Sequence, residues 1–177
     1  MLIKNRLLSA FDWLAVCLRI PYPVIFAGGS SFPVMETKHG SQVDTIDLAQ
    51  TSVDCANEWA RERKLDVRFQ QGNLFELPFE HGTYDFVYDS GCFHHIAPHH
   101  RNDYIRIVSD AFLPGGCFAL TCFVEGGQYG GLGFTEDKLR SIFDMFDVLE
   151  IRLMQEAAPT EVAFGFSGLW TALFQKK

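Results

Sequence analysis

The chain carries no basic stripe: 15 Lys and Arg stand against 22 Asp and Glu, a formal net charge of −7. Nucleic acid and anionic membranes are bound largely through released counterions, so neither is expected as the main partner. Cysteines are few and odd in number, five in all, scattered through apolar runs without a Cys-x-x-Cys pair. That pattern speaks against a disulfide framework and for reduced thiols in a cytoplasmic setting. The sequence has no His-Glu-x-x-His motif, no internal repeat, no low-complexity segment and no linker. What is present is 177 residues with 47% hydrophobic and 14% aromatic content, which excludes a disordered or fibrous chain. That is enough for one good core, and a single domain over residues 1–177 is expected.

Leu7, Leu8, Phe11, Leu14, Ala15 and Leu18 recur at helical spacing, predicting an amphipathic helix over residues 5–19. Lys4 and Arg6 in front of it resemble the start of a signal peptide. Asp12 breaks the apolar stretch, however, and no small-residue cleavage site follows. The segment is also too short to span a bilayer. Residues 1–22 are therefore expected to hold a docking helix, with a targeting element as the alternative, and residues 23–177 to form the core.

The richest stretch is residues 84–124, TYDFVYDSGCFHHIAPHHRNDYIRIVSDAFLPGGCFALTCFV when read from Thr83. The apolar run Phe86-Val87-Tyr88 ends in Asp89-Ser90-Gly91. Tyr104, Ile105, Val108, Ala111 and Phe112 follow at helical spacing, then the break Leu113-Pro114-Gly115-Gly116, then a second apolar run from Cys117 to Val124. Strand, loop, helix, turn and strand make a βαβ unit. Continuous apolar strands belong to a parallel sheet covered on both faces, and ligands of such sheets bind beyond the carboxyl ends of the strands.

Around this unit the alternation is regular. Residues 23–27, 43–47 and 67–71 are strand candidates, the last stopped by Gly72. Thr51 or Ser52 is expected to cap a helix running to Arg63, and Thr135 one that carries Leu139, Ile142, Phe143 and Phe146. A weak helical segment is expected up to His39 with Gly40 behind it. Two closing strands, residues 148–154 and 169–174, have no helix between them and suggest an antiparallel hairpin at one edge.

The segments "VDTIDLAQTSVDCANEWA", "VRFQQGNLFELPF", "YDFVYDSGCFHHI", "LPGGCFALTCF" and "GLWTALFQKK", in this order over about residues 40–177, resemble the class I S-adenosylmethionine-dependent methyltransferases. The likeness is strongest to small bacterial enzymes of the thiopurine and tellurite-resistance type. It implies an α/β fold: a Rossmann-like methyltransferase sandwich whose mostly parallel sheet ends in an antiparallel C-terminal hairpin strand. It also implies S-adenosyl-L-methionine as cofactor and a small-molecule thiol, amine or similar nucleophile as methyl acceptor.

Residue by residue, Asp47 stands at the end of the second strand, where a carboxylate can accept from both ribose hydroxyls. Asp44, within that strand, is read as a surface group. By resemblance, Asn73 occupies a position usually held by Asp; its side chain would accept from the adenine amino group while the Leu74 backbone N–H meets a ring nitrogen. Leu48 and Ser90 flank these positions and, with Asp89, complete the cofactor set. The family's first motif, an acidic strand residue and a Gly-x-Gly-x-Gly turn, is degenerate here. Without gaps, Phe26 falls on its first glycine; with a two-residue shift, Gly28, Gly29 and Ser30 form the turn, and this second alignment is preferred because they allow close backbone approach.

Cys92, His94, His95, His99 and His100 form a conspicuous cluster, but a metal site needs three or four converging ligands and Pro98 breaks any common helix face. No metal is expected. His99 and His100 are read as opening the next helix, and one of His94 and His95 as pointing into the site, where an imidazole can take a proton from a thiol or amine. Asp89, His94 and His95 are thus the candidate catalytic side chains. A sulfonium is already a good leaving group, so methyl transfer needs alignment more than a triad, and no nucleophilic role for Cys92 is required. Two alternatives stay open: a catalytically reduced member of the same fold that acts by binding, and a nicotinamide-dependent oxidoreductase, which wants an intact glycine fingerprint.

Overall fold

The computed structural model describes residues 24–27, 43–76, 81–126, 130–154 and 168–177. The expected helices over residues 5–19 and up to His39, and the turn at Gly28, Gly29 and Ser30, lie outside them. Among the described residues, seven strands form one sheet: β1 (Val24–Ala27), β2 (Val43–Asp47), β3 (Val67–Gln71), β4 (Tyr84–Ser90), β5 (Phe112–Phe123), β6 (Phe146–Leu153) and β7 (Leu169–Lys176). Their order across the sheet is β3-β2-β1-β4-β5-β7-β6. β1 pairs in parallel with both β2 and β4, β2 with β3 and β4 with β5. β7 runs antiparallel between β5 and β6. The first strand is central, and the closing hairpin is as the sequence pattern predicts.

Period-2 alternation sorts the side chains to two cores. Phe86, Tyr88, Ala119 and Leu173 share one face with Val43. Val87, Phe118, Leu120 and Phe174 face the other side, where helix α2 (Arg101–Ala111) and helix α3 (Glu136–Ile142) close an aromatic core. Phe93, Phe118, Phe143 and Phe174 are fully buried there and packed ring against ring, Phe143 lying 4.8 Å from Phe174 and 5.0 Å from Phe93. Tyr104, Ile105, Val108 and Ala111 supply the inner stripe of α2.

Helix α1 (Gln50–Arg63) begins at Ala49, whose backbone N–H donates to Asp47 Oδ1 at 2.8 Å. The expected caps Thr51 and Ser52 therefore lie inside the first turn, because the strand's terminal carboxylate has taken over part of the capping. Lys64 ends the helix in the left-handed region (φ 54°). Thr135 does cap α3, its Oγ1 accepting from Lys138 N at 3.2 Å. That helix stops at Ile142, and Phe146 opens β6 instead of closing the helix.

The expected break at residues 113–116 is a bulge inside β5. Tyr84 pairs with Phe112 and Phe86 with Cys117, so five steps along β5 oppose two along β4. Gly115 takes φ +78°, and a Cβ on Gly116 would sit 2.7 Å from the Phe112 ring. Asp44 is not a mere surface group: it accepts from Arg68 Nε of β3 at 2.6 Å and from Tyr84 Oη of β4 at 3.3 Å, tying β2 to both strands.

Candidate active site

The carboxyl ends of β2, β3 and β4 come to one edge of the sheet. β2 ends on Asp47, and the turn after β3 folds back onto it. Gly72 N donates to Asp47 O at 3.0 Å and Gln71 Nε2 to Leu48 O at 3.0 Å. Asp47 Oδ1 is engaged by Ala49, while Oδ2 accepts no hydrogen bond from the described residues. Beside it Leu48 is 71% exposed, a large apolar side chain presented to solvent.

Asn73 heads the next turn. Its Oδ1 accepts from Phe75 N at 3.1 Å and its Nδ2 donates to Glu76 Oε1 at 2.9 Å. The side chain is thus held in one orientation. A carbonyl oxygen has two lone pairs, so one acceptor position on Oδ1 remains. Leu74 packs its side chain against the aromatic core, and the Phe75 ring lies 5.4 Å from His100.

The turn after β4 is built around Asp89. Its carboxylate is fully buried: Oδ1 accepts from Cys92 N at 2.6 Å, and Oδ2 from Phe93 N at 2.9 Å and from the Tyr104 hydroxyl. Burial pushes this carboxyl up to about 6, against the pull of the Tyr104, Cys92 and Phe93 hydrogen bonds. Asp89 is the residue expected to meet cofactor or substrate, and here its side chain is drawn into its own turn. The carboxylate is 0% exposed and accepts from two amides of its own turn and from the Tyr104 hydroxyl of α2. Ser90 and Gly91 form the half-buried outer surface of that turn; Gly91 has φ +93° and donates its N–H to Thr121 O at 3.1 Å.

The two candidate histidines part company. His94 is buried, its ring 3.9 Å from Phe123 and 4.3 Å from His95, and its Nδ1 has no hydrogen-bond partner among the described residues. Its Cε1 lies 3.4 Å from the place a Cβ on Gly91 would take. Burial first, and then neighbouring His95, lower its pKa to about 4, so it is neutral at pH 7. His95 is exposed on the outside of the same turn. His99 and His100 form a short 3-10 turn leading into α2, as the sequence suggests. Burial, helped by the charges of Asp89 and Asp47, pushes the Cys92 thiol up to about 12, so no thiolate stands ready there. No group of three His, Cys, Asp or Glu converges on a metal position among the described residues.

Three residues of this site escape a reading of local pattern. Tyr104 is legible only as one of the apolar stripe of α2, and Phe123 only as part of a strand. Thr121, whose Oγ1 shares a 3.1 Å hydrogen bond with Tyr88 Oη, carries no signal at all.

Comparison with known proteins agrees with this geometry. Residues 27–116, half of the chain, match the methyltransferase domain family. An uncharacterized methyltransferase of Staphylococcus carnosus is 29% identical over 92 residues, 52% of this chain and 42% of its own length. The 27-O-demethylrifamycin SV methyltransferase of Amycolatopsis mediterranei is 27% identical over 110 residues, 61% of this chain and 40% of its own. The chain thus spans about two-fifths of the curated relatives it matches. Among solved structures, the 1,6-didemethyltoxoflavin-N1-methyltransferase of Burkholderia thailandensis superposes with a TM-score of 0.77 at 21% identity, covering 95% of this chain and 76% of that one. A TehB-like SAM-dependent methyltransferase from Corynebacterium glutamicum gives 0.72 at 15% identity, covering 98% and 90%. A sheet in the order 3-2-1-4-5-7-6, an acidic end to its second strand and a family match across half its length lead to one conclusion: this chain belongs to the S-adenosylmethionine-dependent methyltransferases.

Proposed function

We propose that this domain transfers the methyl group of S-adenosylmethionine to a small-molecule nucleophile such as a thiol or amine. The observation that carries this reading is the pairing of a carboxylate with a spare oxygen, Asp47, and a preset Asn73 turn at the same sheet edge. These residues suit the cofactor's donor pattern. Asp47 would accept from the ribose hydroxyls, Asn73 Oδ1 and the Leu74 N–H would meet the adenine edge, and exposed Leu48 would cover the ring. When bound, the cofactor supplies an electrophilic methyl on a sulfonium. The names of two similar proteins, a 27-O-demethylrifamycin SV methyltransferase and a 1,6-didemethyltoxoflavin-N1-methyltransferase, support a small-molecule acceptor.

The protein's share of the chemistry is alignment and exclusion of water. His94 enters as a neutral ring with an unpartnered nitrogen. With a pKa near 4 it is too weak a base to store the acceptor's proton at pH 7. Its fitting role is to hydrogen-bond the acceptor's S–H or N–H and turn the lone pair toward the methyl, the proton leaving to water.

Calorimetry with S-adenosylhomocysteine and NAD tests the reading, followed by a mass-spectrometric search for methylated small thiols and amines. Binding of S-adenosylhomocysteine but not NAD is expected. Absence of binding to the folded protein would sink the proposal.

A further inference from the structure

Asp89 and Tyr104 sit 15 residues apart in sequence yet meet in the driest part of the protein, 0% and 1% exposed. A buried carboxylate is costly, and an apolar pair of similar volume is often at least as stable. The arrangement of bonds shows what it does instead. One oxygen holds the Cys92 amide and the other holds the Phe93 amide, two consecutive donors of the turn that leads to His94. Tyr104, on α2, anchors that carboxylate from below. Phe93 is clamped in turn, stacked 5.1 Å from Phe134 and tilted against Tyr104 at 5.2 Å. The residue directly after this doubly fixed point is His94, seated against Phe123 with a buried Nδ1 that has no partner among the described residues.

We propose that Asp89 and Tyr104 are a positioning pair: locked together in the core, they hold the turn of residues 91–95 so that His94 is kept dry and aimed at the methyl acceptor. The last clause rests on the methyl-transfer reading; the positioning itself does not. Among the described residues, the titratable groups that bear on the pair are Tyr88 on β4, Cys92 in the turn and Cys122 on β5, each pushed up by burial and neutral at pH 7. Those bearing on His94 reduce to His95. With so few charges nearby, the desolvation of His94 is set by how tightly the turn is closed over it.

The test follows the histidine rings by NMR on labelled full-length protein. His99 and His100 serve as internal references, and thermal melting and S-adenosylhomocysteine calorimetry run alongside. Tyr104→Phe removes only the hydroxyl. The expected result is a folded protein in which the His94 titration midpoint rises by about one pH unit toward the ordinary value for a solvated imidazole. The Cys92 and Phe93 amides should exchange about tenfold faster, with the His99 and His100 midpoints unmoved. Asp89→Asn, which keeps the shape and one acceptor oxygen, should move His94 less than Asp89→Ala, and it serves if Tyr104→Phe does not fold. A lower melting temperature with an unchanged His94 midpoint and unchanged amide exchange would reduce the pair to core packing and overturn the proposal. If S-adenosylhomocysteine fails to bind the wild type, the methyl-transfer reading falls while the His94 titration still decides the positioning role.

Discussion

Replacing Asp89 by Asn should change how stability depends on pH, and the sign follows from the burial of the carboxylate. In the folded protein its pKa is raised from an ordinary 3.8 to about 6. A raised pKa means stabilisation that is fully present below about pH 3.8 and is lost as pH rises through 6. A rise of that size corresponds to about 3 kcal/mol, of which about 2 kcal/mol falls between about pH 4.5 and 7.5. His94 works in the opposite sense: its pKa is lowered to about 4, so its stabilisation is present above about 6.5 and lost as pH falls through 4. In the wild type the two slopes oppose each other over the same window. Asp89→Asn removes one and leaves the other, with a pH-independent offset where the amide meets a backbone N–H. Urea denaturation across about pH 4.5 to 7.5, with equal m-values, gives the comparison. The wild type should lose about 2 kcal/mol relative to the variant as pH rises. A difference that stays flat across this range would refute the claim that Asp89 is buried at a cost and ionised at neutral pH.

Other expectations are simpler. Asp47→Ala should weaken S-adenosylhomocysteine binding by about 1.5–3 kcal/mol, the size of a hydrogen bond to a charged group, as read by calorimetry. Gly133→Ala should destabilise by about 3 kcal/mol or more, measured by urea denaturation, since its Cβ would lie 2.2 Å from Val124 O and force open the Val124–Phe134 bridge. Phe143→Ala, at a position that is 0% exposed within the ring cluster, should cost about 3–5 kcal/mol by the same measurement. Thr135→Ala, which removes the hydroxyl that accepts from Lys138 N, should cost about 1 kcal/mol and fray α3.

Much of the architecture is already legible in the order of residues, because period-2 and helical spacings are written into which side chains can be buried. Asp47, Asn73 and Asp89 fall at strand ends on that pattern, and the closing hairpin shows through the absence of a helix between the last two strands. Thr135 as a cap is legible for the same local reason: a cap acts within one turn. The bulge at Gly115 and Gly116 is not, since a Pro-Gly-Gly run reads as a turn until pairing with Tyr84 on one side and Phe86 on the other stretches it into the strand.

The use of each polar side chain, by contrast, is settled by packing. Asp47 and Asp89 are both acids at the end of a parallel strand. Asp47 Oδ2 accepts nothing from the described residues at the sheet edge, whereas Asp89 turns inward toward Tyr104. No local pattern separates them, because the difference lies in what α2 packs beneath β4. Likewise His94 and His95 are neighbours of the same chemistry, and only the seat offered by Phe123 makes one buried and neutral and leaves the other in solvent. Desolvation depends on everything packed around a group, so pKa, and with it chemical role, is assigned by the fold and not by the motif.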